Sequence, residues 1–220
     1  MLEEFTWFKQ SAYRYDGFGL TVYVDPWGLT SAEEADVIFI THAHSDHFDP
    51  NDIDKVRTHK TKIVAPADVA KQLSGENVRS VRPGESFEVN GIKVETVPAY
   101  NNKPHRLQAH PKENHWVGYI LTMDNRRFYF SGDTDDLPEL EQVKTDVAFL
   151  CIGGDPYVMN ASEAARLARA MKPGLAVPNH YGYVVGTPAD AEKFAKEANP
   201  VKVQIMKPVH AFEKTEAAAR

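Results

Sequence analysis

Four apolar residues, Val37-Ile38-Phe39-Ile40, run without interruption into Thr41-His42-Ala43-His44-Ser45-Asp46-His47. A short unbroken apolar run reads as a strand buried on both faces. It then ends in a dense group of histidine and aspartate side chains. Residues two apart at an extended strand end point the same way, so His42 and His44 can converge on one ion, while a turn at Asp46-His47 can send that pair toward a second. Imidazole and carboxylate suit zinc, manganese or iron. A site without thiolates leaves positions open to water, as a catalytic centre requires.

Around this strand the pattern is mostly β. Residues 19–25 alternate and stop at Pro26, and further β-type runs lie at Lys62 to Val64, Phe87 to Val89, Ile92 to Val97, Trp116 to Met123 and Arg127 to Phe130. Val147 to Leu150, Leu175 to Val177 and Val201 to Met206 complete the set. Helices are expected at Ser162 to Met171, capped by Asn160, at Pro188 to Ala198 after Thr187, and at Ala67 to Leu73, ended by Ser74-Gly75. Strands and hairpins with interspersed helices point to two packed sheets flanked by helices rather than to a doubly wound parallel sheet.

Length and 42% hydrophobic composition are enough for one domain with a substantial core, so residues 1–220 are expected to form a single unit with 213–220 as a frayed tail. The balance of 25 basic against 31 acidic residues, net −6, disfavours nucleic acid as a partner. One cysteine, Cys151, excludes an internal disulfide and fits a reducing compartment. With an acidic N-terminus and no long apolar stretch, the expectation is a cytoplasmic chain without a membrane span.

Two more strand ends carry ligand-type residues. Asp133 follows the apolar run Phe128 to Phe130 and the break Ser131-Gly132, where an acid could bridge two ions; His180 closes Leu175-Ala176-Val177-Pro178-Asn179. Taken in order, His42-x-His44-x-Asp46-His47, Ser131-Gly132-Asp133-Thr134 and Pro178-Asn179-His180-Tyr181-Gly182 resemble the successive metal motifs of the metallo-β-lactamase superfamily. Val24-Asp25-Pro26-Trp27, Val97-Pro98-Ala99-Tyr100-Asn101 and Ile152-Gly153-Gly154 are similar to its ascorbate-6-phosphate-lactonase-like branch.

The resemblance implies an α+β fold, a four-layer αββα sandwich of two mixed or mostly antiparallel sheets, with a dinuclear centre in a cleft at one edge. Carried over by position, it implies that His42, His44 and one further histidine hold one ion, that Asp46, His47 and His180 hold the other, and that Asp133 bridges. The third histidine departs from the pattern, because Asn101 stands where many relatives have it. His110 is the favoured replacement: it precedes Asp133 by 133 − 110 = 23 residues, close to the interval between these motifs in many members. His115, His105, Asn101 itself or a one-metal site are the alternatives. A second departure is Gln10-Ser11-Ala12, where the branch often has a Gly-His pair; it is expected to change the substrate pocket more than the metals.

The expected activity is metal-dependent hydrolysis of a small-molecule ester, lactone or phosphoester. Two divalent ions, zinc or alternatively manganese, would provide a hydroxide nucleophile, with Asp46 orienting it and accepting its proton. Tyr100, Asn101, Lys112, Asp155, Tyr157 and Tyr181 lie beside the motifs as candidate substrate contacts. Rival readings are a phosphodiesterase or nuclease with the same metals, and a metal-binding protein without turnover. A homo-oligomer is compatible with everything in the sequence.

Overall fold

The computed structural model describes residues 2–30, 33–73, 75 and 77–215. Its first sheet runs in chain order: β1 (Phe5–Trp7), β2 (Tyr13–Gly17), β3 (Leu20–Val24), β4 (Val37–Phe39), β5 (Lys62–Pro66) and β6 (Val78–Val81). The first three form an antiparallel meander, and β3 to β6 pair in parallel. The second sheet repeats the plan in the order β12-β11-β10-β9-β8-β7. Here β7 (Ser86–Val89), β8 (Ile92–Pro98), β9 (Val117–Met123) and β10 (Arg126–Phe130) are antiparallel, while β10, β11 (Val147–Cys151) and β12 (Leu175–Asn179) are parallel.

Parallel pairing needs crossovers, and three of the four α-helices among the described residues lie in them. Helices α1 (Pro50–Val56) and α2 (Ala67–Ala70) lie on the outer face of the first sheet; α3 (Ala161–Met171) and α4 (Pro188–Glu197) belong to the second. Strand β4 shows why four layers form. Val37 and Phe39 face the core between the sheets, whereas Ile38 and Ile40 pack with Ile53, Val56 and Val69 beneath α1 and α2. Both sides of an all-apolar strand are thus covered, and the expected αββα sandwich is the observed one.

Helix α3 begins at Asn160, whose side chain accepts from Ser162 N–H and Glu163 N–H at 3.0 Å, a reciprocal cap with Glu163. Helix α4 starts with Asp190 accepting from Thr187 N–H at 2.8 Å. The helix expected over Ala67 to Leu73 closes as a helix at Ala70 and continues only as a turn; Ser74 of its expected stop lies outside the described residues.

Val201 to Met206 is not a strand. Pro200 and Pro208 bound it, and it touches β12 at a single bridge, Ala176 with Val203, before leaving to bond the first sheet through Val209 N–H to Trp7 O at 2.8 Å. Beyond it, the backbone N–H groups of Glu213 and Lys214 both donate to Gly182 O at 2.8 Å, while 216–220 lie outside the described residues. Strands β1, β2 and β6 and helix α1 were not expected from the sequence. Among the described residues no helix is long and apolar enough to cross a membrane.

Candidate metal centre

The parallel strands of both sheets end at one edge, and the loops leaving them converge. After β4, the chain turns through His44, whose carbonyl accepts from His47 N–H at 2.9 Å and Phe48 N–H at 2.8 Å. This turn separates His42 and His44 from Asp46 and His47. Gly132, after β10, has φ +59° and sits so close to Thr41 that an added Cβ would lie 3.1 Å from the Thr41 Cβ. The lack of a side chain lets Asp133 come up beside the histidines.

Two groups of ligand atoms result, each gathered within 4.8 Å: His42, His44, His110 and Asp133, and Asp46, His47 and His180. Asp133 faces both. Its Oδ2 lies 3.7 Å from His42 Nε2, 3.2 Å from His110 Nε2 and 2.9 Å from His180 Nε2, and its Oδ1 lies 3.4 Å from His47 Nε2. His42 Nε2, His47 Nε2, His110 Nε2 and Asp133 Oδ1 are buried without a hydrogen-bond partner. Buried polar atoms rarely stay unpaired, and this set of nitrogens and oxygens, converging on common space, has the chemistry of a divalent metal site.

His110 is the histidine that the fold brings in. Its Nδ1 lies 2.9 Å from Asn101 Oδ1 and 3.1 Å from Tyr157 O. Asn101 therefore fixes the ring that joins His42, His44 and Asp133 in the first group. His105 is instead exposed and pairs with Asp155 at 2.8 Å, and His115 is exposed beside the Lys112 turn, outside both groups.

The loop carrying His110 is anchored by Arg106, a fully buried guanidinium. Its Nη1 reaches Asp135 Oδ1 at 2.7 Å and Glu163 Oε2 at 2.8 Å, and its Nε reaches Asp155 Oδ1 at 2.6 Å. Asp135 Oδ2 in turn accepts from Asn102 N–H and Lys103 N–H. Trp116 underlies the first group, with ring centroids 5.0 Å from His42, 5.0 Å from His44 and 5.7 Å from His110; its Nε1 donates to Asp68 at 2.7 Å. Asp25 supports both groups, accepting from Thr41 N–H and Thr41 Oγ1–H and facing His47 Nδ1, each at 2.7 Å. Arg106 and Trp116 had no signal in the sequence, since only burial and partners distinguish them from surface and core residues.

The two groups differ electrostatically. Burial, reinforced by His47, holds His42 far below the ordinary histidine range, and burial with His110 lowers His44. These rings keep a free lone pair at neutral pH. In the second group burial is outweighed by carboxylates: Asp133, Asp46 and Asp25 raise His47 to about 9, and Asp133 and Asp46 raise His180 to about 10. Asp46, against the effect of burial, is pulled far below the carboxylate range by His47 and His180. A cation entering the second group therefore displaces protons, whereas the first group is ready to donate.

A cavity of about 310 Å³ opens on the centre, lined by Trp27, His44, Ser45, Asp46, Asp133, Tyr157, His180 and Val184. Of the expected substrate contacts, Tyr157 lines this cavity and the others lie elsewhere. Tyr100 and Lys112 together line two other hollows, with Lys112 Nζ 4.7 Å from the Tyr100 ring centroid. Tyr181 is buried against Trp7 and Phe212, and Asn101 acts behind His110. Trp27 and Val184 were overlooked because a wall residue of a cleft has no ligand chemistry to mark it. Gln10, expected to bear on the pocket more than on the metals, places its Nε2 2.8 Å from Asp46 Oδ2.

Residues 4–180 match the profile of the beta-lactamase superfamily domain. The chain belongs to the metallo-β-lactamase superfamily. Among similar superfamily proteins, the UPF0173 metal-dependent hydrolase of Thermococcus onnurineus is 33% identical over 184 residues, 80% of each chain. The UPF0173 metal-dependent hydrolase MK1542 of Methanopyrus kandleri is 28% identical, covering 95% of this chain and 99% of its own. A crystal structure from Parabacteroides distasonis, described as a metal-dependent hydrolase, superposes with a TM-score of 0.84 at 34% identity, over 93% of this chain and 92% of that one.

Proposed function

We propose that this metal-dependent hydrolase works with two divalent ions and cleaves a small uncharged ester or lactone. His42, His44 and His110 would hold one ion, Asp46, His47 and His180 the other, with Asp133 between them. The observation that carries this reading is Asp133, placed with one carboxylate against both histidine groups. Zinc suits the first, imidazole-rich group; zinc or manganese suits the second, which offers more oxygen. What such ions supply when bound is a water acidified toward neutral pH and polarisation of a carbonyl or phosphoryl oxygen.

The protein's own groups do the rest. Asp46 lines the cavity and is ionised at any working pH, so it suits orienting a nucleophilic water and passing on its proton rather than retaining it. No thiol competes for the role: Cys151 is fully buried and its pKa is pushed up to about 12, by burial first. One buried thiol also suits a reducing compartment such as the cytoplasm.

The cavity walls support the substrate class. Trp27 and Val184 are apolar, Tyr157 adds an aromatic ring with one hydroxyl, and no Lys or Arg is among the described lining residues. Lys9, over the Trp27 ring at 4.0 Å, is paired with Glu213 at 2.9 Å. A second anionic group on a substrate, such as the phosphate of a phosphorylated sugar, would meet no lysine or arginine among the described residues there. A screen over aryl esters, lactones, phosphomonoesters and phosphodiesters, with zinc and manganese supplied separately, tests the reading. Turnover of esters or lactones that chelation abolishes is expected; salt-sensitive turnover confined to phosphodiesters would overturn it.

A further inference from the structure

Gln10 sits in the turn between β1 and β2 and is wholly buried. Its backbone is left-handed, φ 49°, a conformation uncommon for a residue with a Cβ. Two donors hold it there: Trp7 Nε1–H and His180 N–H both donate to the Gln10 carbonyl at 3.0 Å. The side chain is thereby aimed at the second ligand group. Its Nε2 lies 2.8 Å from Asp46 Oδ2 and 2.9 Å from His180 Nε2, while its Oε1 is buried with no hydrogen-bond partner.

These contacts cannot all be hydrogen bonds at once. His180 Nε2 also has Asp133 Oδ2 at 2.9 Å, and an ionised carboxylate only accepts. The ring nitrogen that donates to Asp133 has no lone pair left for the Gln10 amide, so nitrogen faces nitrogen. A cation among these groups removes the conflict. His180 Nε2 and Asp46 Oδ2 would each have a lone pair to offer it, and the amide, rotated half a turn about its last bond, would offer its oxygen. That rotation forfeits one hydrogen bond, to Asp46, because Oε1 has none to lose.

We propose that Gln10 is a ligand of the second ion through Oε1, joining Asp46, His47 and His180; this rests on the metal centre proposed above. A neutral amide oxygen adds a hard donor without adding charge, which favours manganese in the second position relative to the first.

Calorimetric titration of chelator-stripped protein with Zn²⁺, and separately with Mn²⁺, tests this in the wild type, Gln10→Met and Gln10→Glu. Gln10→Met is expected to weaken one binding step about tenfold, the lower end of what disturbing a ligand shell costs, and to leave the other step unchanged. Gln10→Glu, which keeps an oxygen in place, is expected to bind that step at least as tightly as the wild type. Should Gln10→Met not fold, Gln10→Asn, one methylene shorter, takes its place with the same expectation. If both steps are unchanged without the amide, Gln10 is no ligand. If Gln10→Glu weakens the step as much as Gln10→Met, the amide serves as an N–H donor to Asp46 and the proposal is overturned. A wild type that takes up no ion at all overturns the metal centre itself, a result distinct from either.

Discussion

Asn101 Oδ1 lies 2.9 Å from His110 Nδ1, so the residue standing where many superfamily members carry a ligand orients the histidine that joins His42 and His44 in the first group. The same pair is tied through the backbone, Asn101 N–H donating to His110 O at 2.8 Å. Asn101→Ala should therefore leave the fold intact and weaken metal binding at the first group by about tenfold, the lower end of what losing a group behind a ligand costs. Asn101→Asp, which keeps an acceptor, should lie closer to the wild type. Competition against a chromophoric zinc chelator measures both.

Asp25 receives three donors on two oxygens: Thr41 N–H, Thr41 Oγ1–H and His47 Nδ1–H. Asp25→Asn preserves the shape but replaces one acceptor by an NH₂ that faces a donor. The expected loss is about 1–3 kcal/mol of stability for a buried donor left unpaired, together with weaker binding at the second group, where His47 loses its orientation. Urea unfolding with and without metal separates the two effects.

Removing Arg106 leaves Asp135, which has no exposed surface, as a buried carboxylate without its cation. Breaking a buried pair from one side costs about 3–5 kcal/mol, and Arg106→Ala should fall near the lower end because Asp135 keeps two backbone donors. Arg106→Lys should not restore it, since one ammonium cannot reach Asp135, Asp155 and Glu163 in the fork geometry seen here. Urea midpoints of the metal-free proteins decide the point.

The legible and illegible parts of this molecule divide along physical lines. His42, His44, Asp46, His47, Asp133 and His180 stood out because each is a ligand-type side chain at the end of an apolar run, and the parallel halves of both sheets bring those ends to one edge. Strand β1, three residues long, was missed because so short a run has no period to detect. Val201 to Met206 misled for the converse reason: it has β-type residues, but the prolines around it and the demands of Trp7 and Phe8 draw it off the sheet after one bridge. Arg106 became a functional candidate only through burial and distance, which linear order does not contain, and distance alone moved Gln10 from the substrate pocket to the ligand groups.

The acid response follows from Asp136. Burial would raise its carboxyl, but Arg166 and Lys103 outweigh this and hold it below its ordinary value of 3.8. A group whose folded value is depressed contributes stability that is fully present above the unfolded value and is lost as pH falls through the folded one. Arg166→Ala should therefore be less stable than the wild type at neutral pH, with the difference shrinking below about pH 4. Urea unfolding of metal-free protein at several pH values checks this; a gap that stays constant would mean the pair does not act through charge.

The central claim, a two-ion hydrolytic centre shared through Asp133, is tested most directly by metal analysis of protein purified without chelator. Close to two ions per chain are expected in the wild type, with both metal content and hydrolysis sharply reduced in His42→Ala and Asp133→Ala. A well-folded wild type that is metal-free at neutral pH, and stays so when zinc and manganese are supplied, would contradict it.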